Sequence, residues 1–157
     1  MYLASIEDME LQVIHLVRDC RGVVYSEERK GNCWIKSYLR WLLTNILYSR
    51  SAKKYTKEEN FMRLSYDQFA QAPERYLSAI NKRFGLAVDT NDYITNAAQK
   101  QLHAFAGNRL LGQKIESIKY DQNWKLGMAP WKRITLNLLG YLPNRIWVYR
   151  SSEVKHV

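Results

Sequence analysis

Val13-Ile14-His15-Leu16-Val17-Arg18-Asp19-Cys20-Arg21-Gly22-Val23-Val24-Tyr25-Ser26 decides how this chain is read. An apolar run rich in β-branched residues stops abruptly at Arg-Asp-x-Arg-Gly, and a hydroxyl follows within two helical turns. A buried parallel strand that delivers a ligand loop at its carboxyl end has this form, and ligands of open α/β sheets bind at such ends. Arginine at that place offers a planar fork of donors to an oxyanion, and serine adds a hydroxyl. The strand is predicted over residues 12–17.

Working outward, residues 18–31 read as a charged, glycine-bounded segment with a short helix near 23–29. Residues 34–49 read as a helix, because Ile35, Tyr38, Leu39, Leu42 and Ile46 recur at helical spacing. A polar, basic stretch follows, taken as the helix end and a loop. Residues 61–66 alternate as a strand does. Pro73 opens a helix that buries Tyr76, Leu77, Ile80 and Phe84 and closes at Gly85. Residues 86–94 read as loop, 95–106 as a helix, and 107–127 as mostly loop with a strand at 115–120. Pro130 opens a last helix with Trp131, Ile134, Leu138 and Tyr141 inward, and the tail from Asn144 is read as frayed or irregular.

The chain has 157 residues, 46% hydrophobic and 13% aromatic, enough for a core. Its net charge of +9 attracts polyanions but does not choose among them. Cys20 and Cys33 make no disulfide framework, and His15, His103 and His156 are scattered, so no metal site is expected. The longest apolar segment, residues 41–47, is too short to span a bilayer, and the first ten residues do not read as a signal peptide. The expectation is a soluble chain, cytoplasmic if complete as given, with the Golgi lumen open if an anchor lies upstream.

Four stretches in order carry a family resemblance. The first is Arg18-Asp19-Cys20-Arg21-Gly22 with Ser26 eight residues after Arg18. The second is Trp41-x-x-x-Asn45. The third is Met62-Arg63-Leu64-Ser65-Tyr66-Asp67-Gln68-Phe69 with Ala72-Pro73. The fourth is His103-x-x-x-Gly107-Asn108-Arg109 with Asp121-x-x-Trp124. Together they resemble the carboxyl-terminal part of the sulfotransferases that use 3′-phosphoadenylyl sulfate, over roughly residues 3–141. Departures are Leu111, where relatives often have Arg, Cys20 in place of Pro or Gly, Ser65 in place of Arg, and Asp67 in place of Glu.

The resemblance implies an α/β fold: an incomplete P-loop-like three-layer sandwich, a parallel sheet with flanking helices, helix-rich in this chain. It implies one partial domain over residues 1–157, because no Gly-rich strand-loop-helix corresponds to the half that grips the 5′-phosphosulfate. Gly107-x-x-x-x-Gly112 is followed by Gln113-Lys114 rather than Lys-Ser/Thr, and is read as coincidence. It implies that Arg18 and Ser26 bind the 3′-phosphate of 3′-phosphoadenylyl sulfate. That nucleotide would donate a sulfuryl group to a hydroxyl or amine acceptor, on a glycan or peptide, with no metal. The catalytic base is not identified, and the chain alone is expected to be inactive.

Each residue also has a plainer reading. Arg18 pairs with Asp19 or caps strand-end carbonyls. Ser26 caps a helix carrying Glu28 and Arg29. Asp19 braces the loop backbone, and Arg21 adds positive field or is solvated. His15 is a hydrogen-bonded core histidine, and His103 braces a helix. Trp41 and Asn45 join core to loop, and Tyr66 and Asp67 fix the turn into the next helix. Two rival functions stand beside the enzyme. One is a basic module binding nucleic acid or sulfated glycan without catalysis. The other is a P-loop kinase-like enzyme. The ordered Gly-Asn and Asp-x-x-Trp stretches favour the sulfotransferase and make nucleic acid the weaker partner.

Overall fold

The computed structural model describes residues 11–87 and 120–149. Their order is β1 (Val13–Val17), α1 (Cys20–Glu28), α2 (Trp34–Tyr55), a 3₁₀ turn (Glu58–Asn60), β2 (Phe61–Ser65), α3 (Tyr66–Gln71), α4 (Pro73–Phe84), α5 (Trp124–Gly127), α6 (Pro130–Asn144) and a π-helical turn (Arg145–Tyr149). The architecture is mixed α/β and helix-rich. Among the described residues the sheet has two strands, parallel, with Val13 opposite Phe61 and Val17 opposite Ser65.

Parallel register puts paired residues on one face. His15 and Arg63 share the face toward α2, where His15 bonds Asn45 at 3.1 Å and Arg63 donates to Ser49 Oγ at 3.1 Å. Met62 and Leu64 take the other face and bury against Tyr76, Ala79 and Phe84 of α4. Ile14 and Leu16 lie on that second face but stay 45% and 48% exposed. Helix α4 therefore covers β2 while β1 stays half open.

The main core joins β1, α1, α2 and the carboxyl-terminal helices through Val17, Cys20, Val24, Trp41, Leu136 and Trp147. Helix α1 begins three residues earlier than the sequence predicts. The cause is its cap: Asp19 accepts from the Arg21 N–H at 2.8 Å and so satisfies one of the free donors of the first turn. Helix α2 runs on to Tyr55 because nothing before Thr56 breaks it, and Lys53 and Lys54 complement the negative end of its dipole. Strand β2 ends at Ser65, whose hydroxyl accepts from Gln68 N–H, so Tyr66 opens a helix rather than closing a strand. Helix α4 starts at Pro73 and closes at Gly85 (φ 63°), as expected from the sequence. Part of the stretch expected as loop before residue 127 forms α5. The predicted elements at 95–106 and 115–119 lie outside the described residues.

At the carboxyl end one expectation is corrected and one is narrowed. The stripe Trp131, Ile134, Leu138 and Tyr141 does not face inward; all four are exposed, and Leu136, Gly140 and Asn144 are buried instead. The reason is steric and polar. Gly140 lets α6 close onto Cys20, where an added Cβ would overlap the Cys20 Sγ. Asn144 Oδ1 accepts the Cys20 backbone N–H at 3.1 Å, serving a first-turn donor of α1 that has no helical partner. The second expectation concerns the tail. Of the two alternatives, fraying and irregular packing, residues 145–149 take the second: they wind a π turn that buries Trp147 and Val148, with Trp147 edge-on to Trp41 at 5.7 Å, and residues 150–157 lie outside the described residues. Pro143, which lacks an N–H, sits just before this widening of the helix.

Gly140→Ala is expected to lower unfolding free energy by about 1–3 kcal/mol through overpacking. Adding Cys20→Ala to Gly140→Ala is expected to recover part of that loss. Urea melts of the two single variants and the double variant measure the coupling; strict additivity would refute the α1–α6 contact.

Candidate functional site

The site forms where β1 hands over to α1. The Arg18 carbonyl accepts from Trp41 Nε1 at 3.0 Å, which ties the strand end to α2. Its guanidinium turns back over α1. A Cβ at Gly22 would stand 2.9 Å from Arg18 Nε, so glycine lets the guanidinium lie this close and a side chain there would push it aside. Gly22 is thus a helical glycine needed for close contact, not a loop glycine as its place in Arg-Asp-x-Arg-Gly implies. The guanidinium also stands 5.1 Å from the centre of the Tyr66 ring. It donates to Asp121 twice, at 3.2 Å to the carboxylate and 3.3 Å to the carbonyl. Arg18 Nε is buried without a partner among the described residues. The side chains of Arg18 and Asp121 are 22% and 39% exposed. The Arg18 partner is therefore Asp121, not Asp19.

Ser26 lies inside α1 and caps nothing. It follows Gly22 by four residues, so it stands one turn along the helix side on which Arg18 rests. Arg29, three residues further, lies near enough to Asp121 to help stabilise its charge. The Asp121 carboxyl is held below its usual range first by the Asn123 backbone N–H and then, against the cost of burial, by Arg18. Arg18 and Arg29 thus both act on the Asp121 carboxylate, and that carboxylate already sits on Arg18.

Asp19 organises the other side. Besides the Arg21 N–H it accepts from Arg21 Nε at 2.9 Å and from Tyr149 Oη at 2.6 Å, while its own N–H donates to Asp67 at 3.1 Å. Burial alone would raise its pKa, but the bonds from Arg21 and Tyr149 outweigh burial and hold the carboxyl low. Asp67, by contrast, is pushed up by burial. Arg21 is neither solvated nor free. It donates to Asn137 at 2.8 Å and to Tyr149 at 2.7 Å, and stacks over Trp124 at 4.3 Å. A cavity of about 250 Å³ opens beside it, lined by Arg21, Asn137, Tyr141, Asn144, Arg145 and Tyr149. Arg18 and Ser26 do not line that cavity.

His15 bonds Asn45, and Asn45 in turn donates to the Trp41 carbonyl at 2.7 Å, so both act as core connectors. Burial, then the charge of Arg63, lowers the His15 pKa against the opposing bond from Asn45. Burial also pushes the Cys20 thiol up to about 12, which removes it as a nucleophile. His103, Gly107, Asn108 and Arg109 lie outside the described residues. Among the described residues no group of three or more His, Cys, Asp or Glu stands together as a metal cluster, and no helix is long and apolar enough to cross a membrane. Sequence reasoning missed the roles of Gly22 and Tyr149 and the pairing of Asp121 with Arg18. Glycine four residues after the strand-end arginine was the available signal for the first; nothing local marks a tyrosine 130 residues away from its aspartate.

These features define a mixed α/β protein in which a partly exposed arginine, paired with Asp121, stands at the carboxyl end of a parallel strand. Comparison with protein-family models, curated proteins and solved structures finds no match.

Asp19→Ala is expected to destabilise the protein by about 3–5 kcal/mol, because it strands the half-buried Arg21. Tyr149→Phe, which removes the bond to Asp19 and the one from Arg21, is expected to cost about 2 kcal/mol. Equal losses in denaturant melts would contradict the hierarchy. The His15 folded pKa lies below its unfolded value, so its contribution is present above the unfolded pKa, near 6.5, and is lost as pH falls through the folded one. Stability is expected to decline on acidification below that value by no more than about 1.4 kcal/mol per pH unit from this group. His15→Gln should flatten that part of the stability–pH curve, and an unchanged slope would reject the assignment.

Proposed function

We propose that this chain is the carboxyl-terminal part of a sulfotransferase with a P-loop-like α/β fold, and that Arg18 and Ser26 bind the 3′-phosphate of 3′-phosphoadenylyl sulfate. The observation that carries this reading is Arg18 itself. At the end of a parallel strand it keeps a guanidinium partly open to solvent, laid on Gly22 and already engaged with a carboxylate. Ordered sequence motifs supply the rest of the support.

The residues fit a phosphate by their chemistry. Arg18 Nε lacks a partner among the described residues, and its terminal nitrogen holds a carboxylate that an incoming anion can replace. The Ser26 hydroxyl, on the same side of α1, offers a further donor. When bound, the nucleotide supplies the activated sulfuryl group. The chain's own share is positioning: a fixed cation and hydroxyl orient the ribose end, so that binding energy far from the reacting bond serves alignment. Asp19 and Arg21 neutralise each other and act by holding the loop, not by touching the ligand. The acceptor in this reading is a hydroxyl or amine.

A hydrogen bond from Arg to a charged phosphate contributes about 1.5–3 kcal/mol, or roughly ten- to a hundredfold in affinity. Calorimetric titration with 3′-phosphoadenosine 5′-phosphate, beside the analogue lacking the 3′-phosphate, is expected to favour the former by that factor. Arg18→Ala should abolish the preference, and Ser26→Ala should weaken it. Asp121→Asn should raise affinity about two- to fivefold, the modest range of a partly exposed ion pair. Equal binding of both nucleotides, with strong salt dependence toward many polyanions, would replace this reading with the basic binding module.

A further inference from the structure

Helix α6 turns its apolar side away from the other described residues. Trp131, Ile134, Leu138, Tyr141 and Leu142 recur at three- and four-residue spacing and form one stripe. All five are exposed, Leu138 at 75%. The first part of α2 continues this surface. Trp34 meets Trp131 edge-on at 5.7 Å, and Tyr38 Oη donates to the Leu139 carbonyl at 2.8 Å. Next to these contacts Ile35 and Leu39 are each about half exposed.

The charge on these helices has one sign. The first part of α2 carries Lys36 and Arg40 and α6 carries Lys132 and Arg133, with no Asp or Glu on either helix, and Arg145 follows at the end of the stripe. Lys132 is turned onto Glu28 of α1, and Arg133 reaches the Lys125 carbonyl. Arg40 lies near enough to Glu27 of α1 to help lower that carboxyl, and Lys36 and Arg145 meet no acid from their own helices. A second copy of this chain fits such a face poorly. A two-fold contact would bring like-charged helices together with no carboxylate on either helix to answer them. An anionic bilayer answers both halves of the chemistry. Its headgroups take the cations, its acyl boundary takes the leucines, and Trp and Tyr favour the interface between them.

We propose that the face formed by α6 and the first part of α2 binds the surface of an anionic bilayer, with the α6 stripe toward the acyl boundary. This interaction is independent of the nucleotide reading.

Co-sedimentation of the full chain with vesicles tests it. Vesicles of phosphatidylcholine and phosphatidylserine in equal parts are expected to bind the protein at least about tenfold more tightly than phosphatidylcholine alone, and added salt should weaken the binding. Leu138→Glu should weaken it a further tenfold or so, and Leu138→Gln and Trp131→Ala by about fivefold each. Leu138 is already exposed, so thermal unfolding of its variants should match the parent. Three results would overturn the proposal. The first is no preference for phosphatidylserine. The second is Leu138→Gln and Trp131→Ala binding as tightly as the parent, which would leave charge alone acting. The third is concentration-dependent dimerisation that Leu138→Glu abolishes without any vesicle binding, which would assign the face to a second copy.

Discussion

The carboxylate of Asp19 accepts at once from the Arg21 backbone, the Arg21 guanidinium and the Tyr149 hydroxyl, and the same residue's N–H donates to Asp67. Four segments therefore meet at one residue: the end of β1, the start of α1, the turn into α3 and the π-helical end of the chain's last described helix. The arrangement fixes where α1 begins. The position of α1 then decides that Gly22 lies under Arg18, and that Ser26 stands one turn beyond it. Without this cap the strand would end in an arginine with no defined direction. With it, the guanidinium is confined between a helix backbone, an aromatic ring and Asp121. The Asp19–Arg21 ion pair is little exposed, so it is costly to form and costlier to break, and its value here is geometric definition rather than net stability.

Local chemistry made part of this legible. The β-branched run ending at Arg18 marks β1, and Pro73 with Gly85 brackets α4, because each signal acts within a few residues. Caps were harder. Asp19 reads as a loop brace until its bond to the Arg21 N–H shows it starting a helix. The orientation of α6 was not readable. Its apolar period is strong, but periodicity says only that a helix has an apolar side, not that this side is the one docked. A small residue, Gly140, and a buried amide, Asn144, settle the docking through Cys20. The surroundings of Arg18 were half visible: Arg18 and Ser26 stand in the motif, whereas Asp121 meets Arg18 across 103 residues.

The two surfaces proposed for ligands draw on one property of the chain in different ways. Around Arg18 the positive charge is shaped, held by packing and already matched to a carboxylate. Along α2 and α6 it is spread beside apolar side chains. The first arrangement suits a small, directional oxyanion, and the second an extended anionic surface. A net charge of +9 supports both without distinguishing them; the difference lies in what each cation touches.

The most direct test of the central claim is a crystal structure of the chain grown with 3′-phosphoadenosine 5′-phosphate. The account predicts the 3′-phosphate on Arg18 and Ser26, with the Asp121 carboxylate displaced and the Asp19–Arg21–Tyr149 contacts unchanged. A phosphate bound elsewhere while Arg18 keeps Asp121 would contradict it.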